Sequence, residues 1–130
     1  VTPQQLKDRS WWTGPDIFLI IDNLDLVADM TFAPLLSVLP HARDVGLHVV
    51  ITRKSGGCVR ALFQPFLAEI KDQSPFIIVL DADKDDGPLF GVRLKPQPPG
   101  RGVMIHHGTQ QGLIQIAAAN MPDAAEVKAS

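Results

Sequence analysis

An acidic side chain follows an apolar run in the first part of the chain. Residues 17–21 read Ile-Phe-Leu-Ile-Ile, and Asp22 comes directly after them. Such a run is typical of a strand buried on both faces of a parallel sheet. Ligands bind at the carboxyl ends of such strands, and Mg²⁺ prefers oxygen ligands. Asp22 is therefore a candidate Walker B residue that holds the water shell of Mg²⁺, the alternative being an Asp that only ends the strand.

The residue after Asp22 carries an amide. Enzymes that hydrolyse nucleotides usually place a carboxylate there to orient the attacking water, and Asn23 cannot act as a base. The phosphate-binding pattern G-x-x-x-x-G-K-[ST] is also missing, because Lys54-Ser55 lacks the preceding glycines and Gly56-Gly57 comes after it. We therefore expect no ATP hydrolysis by this chain alone.

A second polar group follows another apolar run. Thr52, Arg53 and Lys54 come after Leu47-His48-Val49-Val50-Ile51. At the end of a neighbouring parallel strand, a hydroxyl and two cations would lie beside Asp22 and near the phosphates of a nucleotide. The alternative is a solvated turn.

The elements that position these groups alternate along the chain. Strands are predicted at 17–21, 47–52 and 76–80, and helical spacing of apolar residues occupies 34–42, with a kink at Pro40, and 59–71, with a defect at Pro65. Strands separated by helices indicate an α/β fold with parallel strands.

The last third of the chain has a different pattern. Residues 81–102 are rich in Asp, Gly and Pro, which is typical of loops, and apolar runs at 103–105 and 113–116 flank a polar turn. We expect a closing β-hairpin there, and a mobile tail over 119–130.

Composition limits the classes of function. The chain has 130 residues, the size of one domain, and a formal net charge of −2. No excess of Lys and Arg is available to neutralise a run of phosphates, so a nucleic-acid partner is disfavoured. The chain has a single cysteine, Cys58, which can form no internal disulfide. No apolar stretch is long enough for a membrane span.

Several segments together resemble a known family. In combination they are similar to the C-terminal ATPase domain of EccC, the coupling ATPase of type VII (ESX) secretion, in the FtsK/SpoIIIE clade. The resemblance covers about residues 2–117, and it is carried by residues 9–16, 39–57, 85–91, 98–102 and 111–116.

The resemblance implies a fold and a set of cofactors. Residues 1–118 would be the second half of a RecA-like P-loop NTPase domain, from the Walker B strand onward, with a parallel sheet core and a C-terminal β-hairpin. The complete domain would bind ATP and Mg²⁺, whereas no cofactor is expected for this chain alone.

The same resemblance implies roles for individual residues. Asp22 matches the Walker B Asp, and Asn23 stands where an acid is usual. Residues 52–54 match the sensor segment Thr-Gln-Arg, with Arg53 in place of Gln. Arg43 matches an arginine close to where neighbouring modules meet.

The function implied is a terminal, degenerate ATPase module that binds export substrates or regulates the motor. The alternatives are an active motor module once joined to its P-loop half and, less favoured, a DNA translocase module. Implied partners are neighbouring ATPase modules, WXG-type secreted heterodimers and a hexamer of the full protein. A membrane-anchored complex on the cytoplasmic side of the inner membrane is expected, with this segment itself soluble. An amphipathic signal helix needs an apolar groove, for which the sequence offers Leu35, Leu39, Phe63 and Phe66 as candidates.

Overall fold

The computed structural model of the chain describes residues 2–8, 10–82 and 86–117. The tail expected at 119–130 lies outside these residues. The described part begins with a short helix, α1 (Pro3–Asp8). Among the described residues, no helix has the length and apolar character needed to cross a membrane.

Two parallel strands form the first sheet. β1 (Ile17–Ile21) pairs in parallel with β2 (Leu47–Ile51), which confirms both predicted strands. One face of this pair is covered, since Ile21 packs with Leu39 and Phe66 in a buried apolar cluster. The alternation of side chains along each strand therefore gives the pair a core face.

The opposite face of the same pair is apolar and open. Phe18 is 64% exposed and Ile20 is 69% exposed, and Val50 beside Ile20 is exposed as well. The run 17–21 predicted burial on both faces, and within the described residues only one face is covered. Within the described residues, this face of the sheet is therefore an exposed apolar strip.

The connection from β1 to β2 is made of 3₁₀ turns. They occupy Leu24–Leu26, Asp29–Leu35 and Leu39–His41, so the helix predicted over 34–42 is wrong. Pro34 and Pro40 explain the difference, because proline lacks the N–H that a continuing α-helix needs. Short 3₁₀ pieces are the usual result in such a connection.

The second predicted helix is divided in two. α2 (Cys58–Ala61) is followed by α3 (Pro65–Asp72), and Pro65 begins α3 rather than distorting a longer helix. Gln64 has an extended backbone, with φ −68° and ψ 140°. A residue before proline is driven out of helical geometry, and proline fits the first helical position.

An antiparallel sheet completes the α/β fold. β3 (Ile77–Val79), β4 (Arg101–His106) and β5 (Thr109–Gln115) pair in that order. The predicted hairpin is confirmed, and its two-residue turn is His107-Gly108, with φ of 50° and 68° as in a type I′ turn. In the described parts of the chain, β3 pairs antiparallel with β4 and not with β2, so the prediction that this third strand is parallel to the first two is wrong.

The close approach of β4 to β3 predicts a stability effect at Gly102. A Cβ at Gly102 would lie 2.9 Å from the Val79 carbonyl oxygen and 2.9 Å from Leu80 Cδ2, whereas one at Gly112 in β5 meets nothing within 4 Å. We expect Gly102→Ala to destabilise the hairpin by about 2 kcal/mol. Native-state hydrogen exchange of β4 amides should be about 30-fold faster in that variant.

The matched control is Gly112→Ala on the partner strand. Because its methyl group enters open space, exchange should stay within about threefold of the unaltered protein. Equal exchange rates in the two variants would contradict the packing described here.

Candidate functional site

The carboxyl ends of β1 and β2 bring two of the predicted residues together. The Thr52 hydroxyl donates to Asp22 Oδ1 at 2.5 Å, and it accepts the backbone N–H of Asn23 at 2.8 Å. One hydroxyl therefore fixes both the carboxylate and the backbone that carries it. Asp22, Asn23 and Thr52 are hereafter the strand-end site.

Asn23 has an unusual backbone conformation. Its φ is 57° and its ψ is 64°, in the left-handed region, directly before the 3₁₀ turn Leu24–Leu26. Asn adopts this conformation more readily than most residues because its short side chain can bond locally. Asn therefore suits the backbone conformation at this position. Its amide, however, supplies no base for catalysis.

Asp25 contacts the side chain of Arg53 and the backbone of Lys54. Arg53 Nη2 lies 2.8 Å from Asp25 Oδ1, and the Lys54 backbone N–H donates to Asp25 Oδ2 at 2.8 Å. Arg53 Nε–H also donates to the Lys54 carbonyl at 3.0 Å. The Arg53 side chain is only 16% exposed, so in this structure its guanidinium is turned onto Asp25, while Lys54 is exposed.

Asp25 is the functional candidate that sequence reasoning missed. It lies three residues after Asp22, between Leu24 and Leu26, and it binds both residues that follow Thr52. The available signal was an acid isolated between apolar residues, but only the three-dimensional pairing of the two strand ends reveals its partner.

Arg43 lies at the other end of the sheet. It precedes β2, whereas Thr52 follows that strand, and it is exposed. A five-residue strand spans about 16 Å at 3.3 Å per residue. The structure therefore does not bring Arg43 to the strand-end site of its own chain.

The chemistry of the strand-end site suits a hydrated divalent cation. Asp22 is exposed, and a carboxylate is the oxygen ligand that Mg²⁺ prefers. When bound with a nucleotide, Mg²⁺ neutralises charge on the phosphate oxygens. Asp22 would hold its water shell, with Thr52 orienting the carboxylate.

The start of α2 lies within the electrostatic field of the Asp25–Arg53 pair. Burial raises the pKa of the Cys58 thiol, while nearby Arg53 lowers that pKa and Asp25 raises it. A cavity of about 120 Å³ lies beside the pair and is also bordered by Ala61 and Gln64. The ion pair and α2 therefore border the same cavity.

A larger apolar groove lies on the other side of α2. It has a volume of about 520 Å³ and is lined by residues of the α2–α3 segment, the entry to β3 and two turns. Its apolar lining includes Val59, Leu62, Phe63, Ile77 and Phe90, and its polar lining includes Lys71, Asp72, Ser74 and His107. Phe63 is 84% exposed. We call this surface the apolar groove.

Of the four groove candidates from the sequence, only one lines the apolar groove. Phe63 does, whereas Leu39 and Phe66 are buried in the cluster beneath β1, and Leu35 packs against that cluster. Helical periodicity identifies apolar positions but not which of them the core uses.

Two tight turns form one rim of the apolar groove. Phe90 and His107 have φ of 49° and 50°, and each is followed by a glycine with positive φ. A Cβ at Gly91 would lie 3.3 Å from the Gly108 carbonyl oxygen, so the turns pack against each other. At His107 the positive φ belongs to the type I′ hairpin turn, whereas at Phe90 it is uncommon for a bulky side chain. Sequence reasoning missed this rim, although the Phe-Gly and His-Gly pairs were a signal.

Sequence comparisons relate the chain to one group of secretion proteins. No family model matches it. The ESX-4 secretion system protein EccC4 of Mycobacterium tuberculosis is 45% identical over an alignment of 126 residues, which covers 94% of this chain and 10% of that protein. The ESX secretion system protein EccC of Thermomonospora curvata is 43% identical over 121 residues, 90% of this chain and 9% of that protein. The chain thus spans about a tenth of the length of these relatives.

Solved structures give the same relationship. The cytoplasmic domain of the Thermomonospora curvata type VII secretion ATPase EccC matches with a TM-score of 0.81 and 40% identity, covering 93% of this chain and 14% of that one. ATPases 2 and 3 of that EccC, in complex with a signal sequence peptide, match with a TM-score of 0.80 and 40% identity, covering 93% and 22%. The chain therefore has the α/β fold of part of these RecA-like ATPase domains, and over nine-tenths of its length it is similar to EccC proteins of ESX secretion systems.

Proposed function

We propose that this chain is part of a terminal, degenerate ATPase module of a type VII (ESX) secretion system, and that the module binds the signal segment of export substrates or regulates the motor. The observation that carries the proposal is the apolar groove, which Phe63 lines with an exposed side chain. An amphipathic helix lays its apolar face into a groove of this kind.

A solved relative supports a signal peptide as the ligand of the apolar groove. The solved EccC ATPases 2 and 3, 40% identical to this chain, are in complex with a signal sequence peptide. The amphipathic C-terminal signal of a WXG-type protein is the matching ligand for the apolar groove.

Titration of the whole protein with a labelled peptide tests this proposal. The probe is a fluorescent synthetic copy of the C-terminal signal of a WXG-type protein secreted by the same organism. We expect saturable binding that the unlabelled peptide displaces. No displaceable binding would contradict the proposed function.

The complete module is proposed to bind ATP and Mg²⁺. Asp22 would hold the water shell of Mg²⁺, and Thr52, Arg53 and Lys54 would face the phosphates. The fixed pairing of Thr52 with Asp22 supports this assignment. Asn23 supports the degenerate state, since an amide does not take a proton from water.

The remainder of the nucleotide-binding domain is proposed to come from elsewhere in the whole protein, with residues 1–118 as its second half. Within the described residues, β2 pairs only with β1, and β3 pairs only with β4. The open apolar face of Phe18 and Ile20 also requires a cover. Further strands and helices would satisfy both the unpaired edges and that face.

The module is proposed to work inside a larger assembly. Its partners would be neighbouring ATPase modules, WXG-type heterodimers and the other subunits of a hexamer, on the cytoplasmic side of the inner membrane in a membrane-anchored complex. Arg43, exposed and remote from the strand-end site of its own chain, is the proposed contact with a neighbouring module.

An active motor module is the second candidate, favoured by the ordered pairing of Asp22 with Thr52. Substitution at position 23 separates the two. We expect Asn23→Asp to raise the ATP turnover of the whole protein at least about tenfold, because a positioned base contributes 10²- to 10⁴-fold. Asp suits the comparison because it also tolerates left-handed geometry.

Asn23→Gly is the control, since glycine also adopts left-handed geometry and supplies neither the amide nor a carboxylate. It should leave turnover at the original low level. Substantial turnover with Asn23 in place, abolished by Asp22→Ala, would instead establish the active motor.

A further inference from the structure

Arg53 has one observed partner and one proposed partner. Its guanidinium contacts Asp25 at 2.8 Å in this structure, whereas the proposed function places Arg53 at the phosphates of a nucleotide. A planar guanidinium forms paired hydrogen bonds with carboxylates and phosphates alike. The two partners therefore compete for the same group.

The segment that carries Arg53 ends at the apolar groove. Thr52 is bound to Asp22, the next two residues are bound to Asp25, and α2 begins at Cys58. Val59, Leu62 and Phe63 then line the groove. The twelve residues 52–63 thus connect the strand-end site to the groove. Asp25 binds this segment near its beginning, at Arg53 and Lys54.

The space beside Asp25 and Arg53 permits a rearrangement. Both residues border the cavity of about 120 Å³, as do Ala61 of α2 and Gln64 after it. Close-packed interiors resist displacement, and an open volume beside a short helix lowers that resistance. A shift of Arg53 away from Asp25 would therefore change the packing around α2.

We propose that Arg53 is a switch with two positions: it pairs with Asp25 when no nucleotide is bound and moves onto the phosphates of a bound nucleoside triphosphate, which releases the segment leading to α2 and the apolar groove. This inference rests on the proposed nucleotide site and peptide groove. Since each position has its own contacts, nucleotide binding changes peptide affinity, and peptide binding changes nucleotide affinity by the same factor.

Two variants of the whole protein give opposite results for nucleotide binding. Asp25→Asn keeps an acceptor for the Lys54 N–H but removes the charge that competes for Arg53, so a fluorescent ATP analogue with Mg²⁺ should bind about fivefold more tightly. Arg53→Gln removes the phosphate contact, so the analogue should bind about tenfold more weakly. The binding to be compared is the part that Asp22→Ala abolishes.

The same variants have a common effect on peptide binding. In both, the affinity for the labelled signal peptide should no longer respond to nucleotide, and it should equal the value that the unaltered protein shows with nucleotide bound. Loss of a merely structural ion pair would instead change nucleotide affinity in the same direction in both variants.

Three outcomes would overturn the switch. They are unchanged or weaker nucleotide binding in Asp25→Asn, a nucleotide effect on peptide affinity that persists in both variants, and peptide affinity in the unaltered protein that does not respond to nucleotide. Absence of any Asp22-dependent nucleotide binding in the unaltered protein would refute the proposed nucleotide site itself, and the switch with it.

Discussion

Replacing Phe63 by Asp in the whole protein should weaken binding of the labelled signal peptide by at least about 30-fold. Phe63 is 84% exposed and lies within the apolar groove. A buried aromatic anchor of an interface contributes about 2 kcal/mol or more, which corresponds to that factor, and a carboxylate in its place would have to be desolvated. Titration with the fluorescent peptide measures the change.

The matched control for Phe63→Asp is Met30→Asp. Met30 is 73% exposed, and it does not line the groove. Its substitution introduces the same charge at a similar exposure, so peptide affinity should remain within about twofold. An equal loss in both variants would show that added charge, and not the groove, governs peptide binding.

Replacing Thr52 by Val should weaken binding of a Mg²⁺–nucleotide to the Asp22-dependent site by about tenfold. Valine has the shape of threonine, but it removes the hydroxyl that donates to Asp22 and accepts the Asn23 N–H. A hydrogen bond to a charged group contributes about 1.5–3 kcal/mol. Asp22 would lose its fixed orientation. Equilibrium binding of a fluorescent ATP analogue in the presence of Mg²⁺ measures the effect.

Thr52→Ser keeps the hydroxyl and serves as the control. Its affinity should stay within about threefold of the unaltered protein, because both hydrogen bonds can still form. If serine weakened nucleotide binding as much as valine does, keeping the hydroxyl would not preserve the site, and the assigned role of the hydroxyl would be wrong.

Strands β1 and β2 and the contact between Asp22 and Thr52 were predictable because the local sequence pattern indicates where each strand lies and where it ends. Residues 17–21 and 47–51 are mainly apolar, and three of the five side chains in each segment are β-branched, a composition that favours strands. The carboxyl ends of parallel neighbours meet at one sheet edge, so Asp22 and Thr52 were expected together. The alternation of faces also follows from the strand period.

The features that escaped prediction depend on contacts between distant residues. Pro34 and Pro40 convert a helical pattern into 3₁₀ turns, and periodicity alone does not weigh their missing N–H groups. Asp25 meets Arg53 across 28 positions of sequence, and no local signal pairs them. Leu39 and Phe66 resembled groove residues until the packing beneath β1 showed them buried.

The most direct test of the account is to find where the signal peptide binds. A photo-crosslinking benzoylphenylalanine is placed at position 63 in one form of the whole protein and at position 30 in another, each is irradiated with the peptide, and the adducts are mapped by mass spectrometry. We predict a peptide adduct at position 63 that excess unlabelled peptide suppresses, and none at position 30. Adducts absent from position 63, under conditions where the same protein binds the peptide saturably, would contradict the claim that the apolar groove receives the export signal.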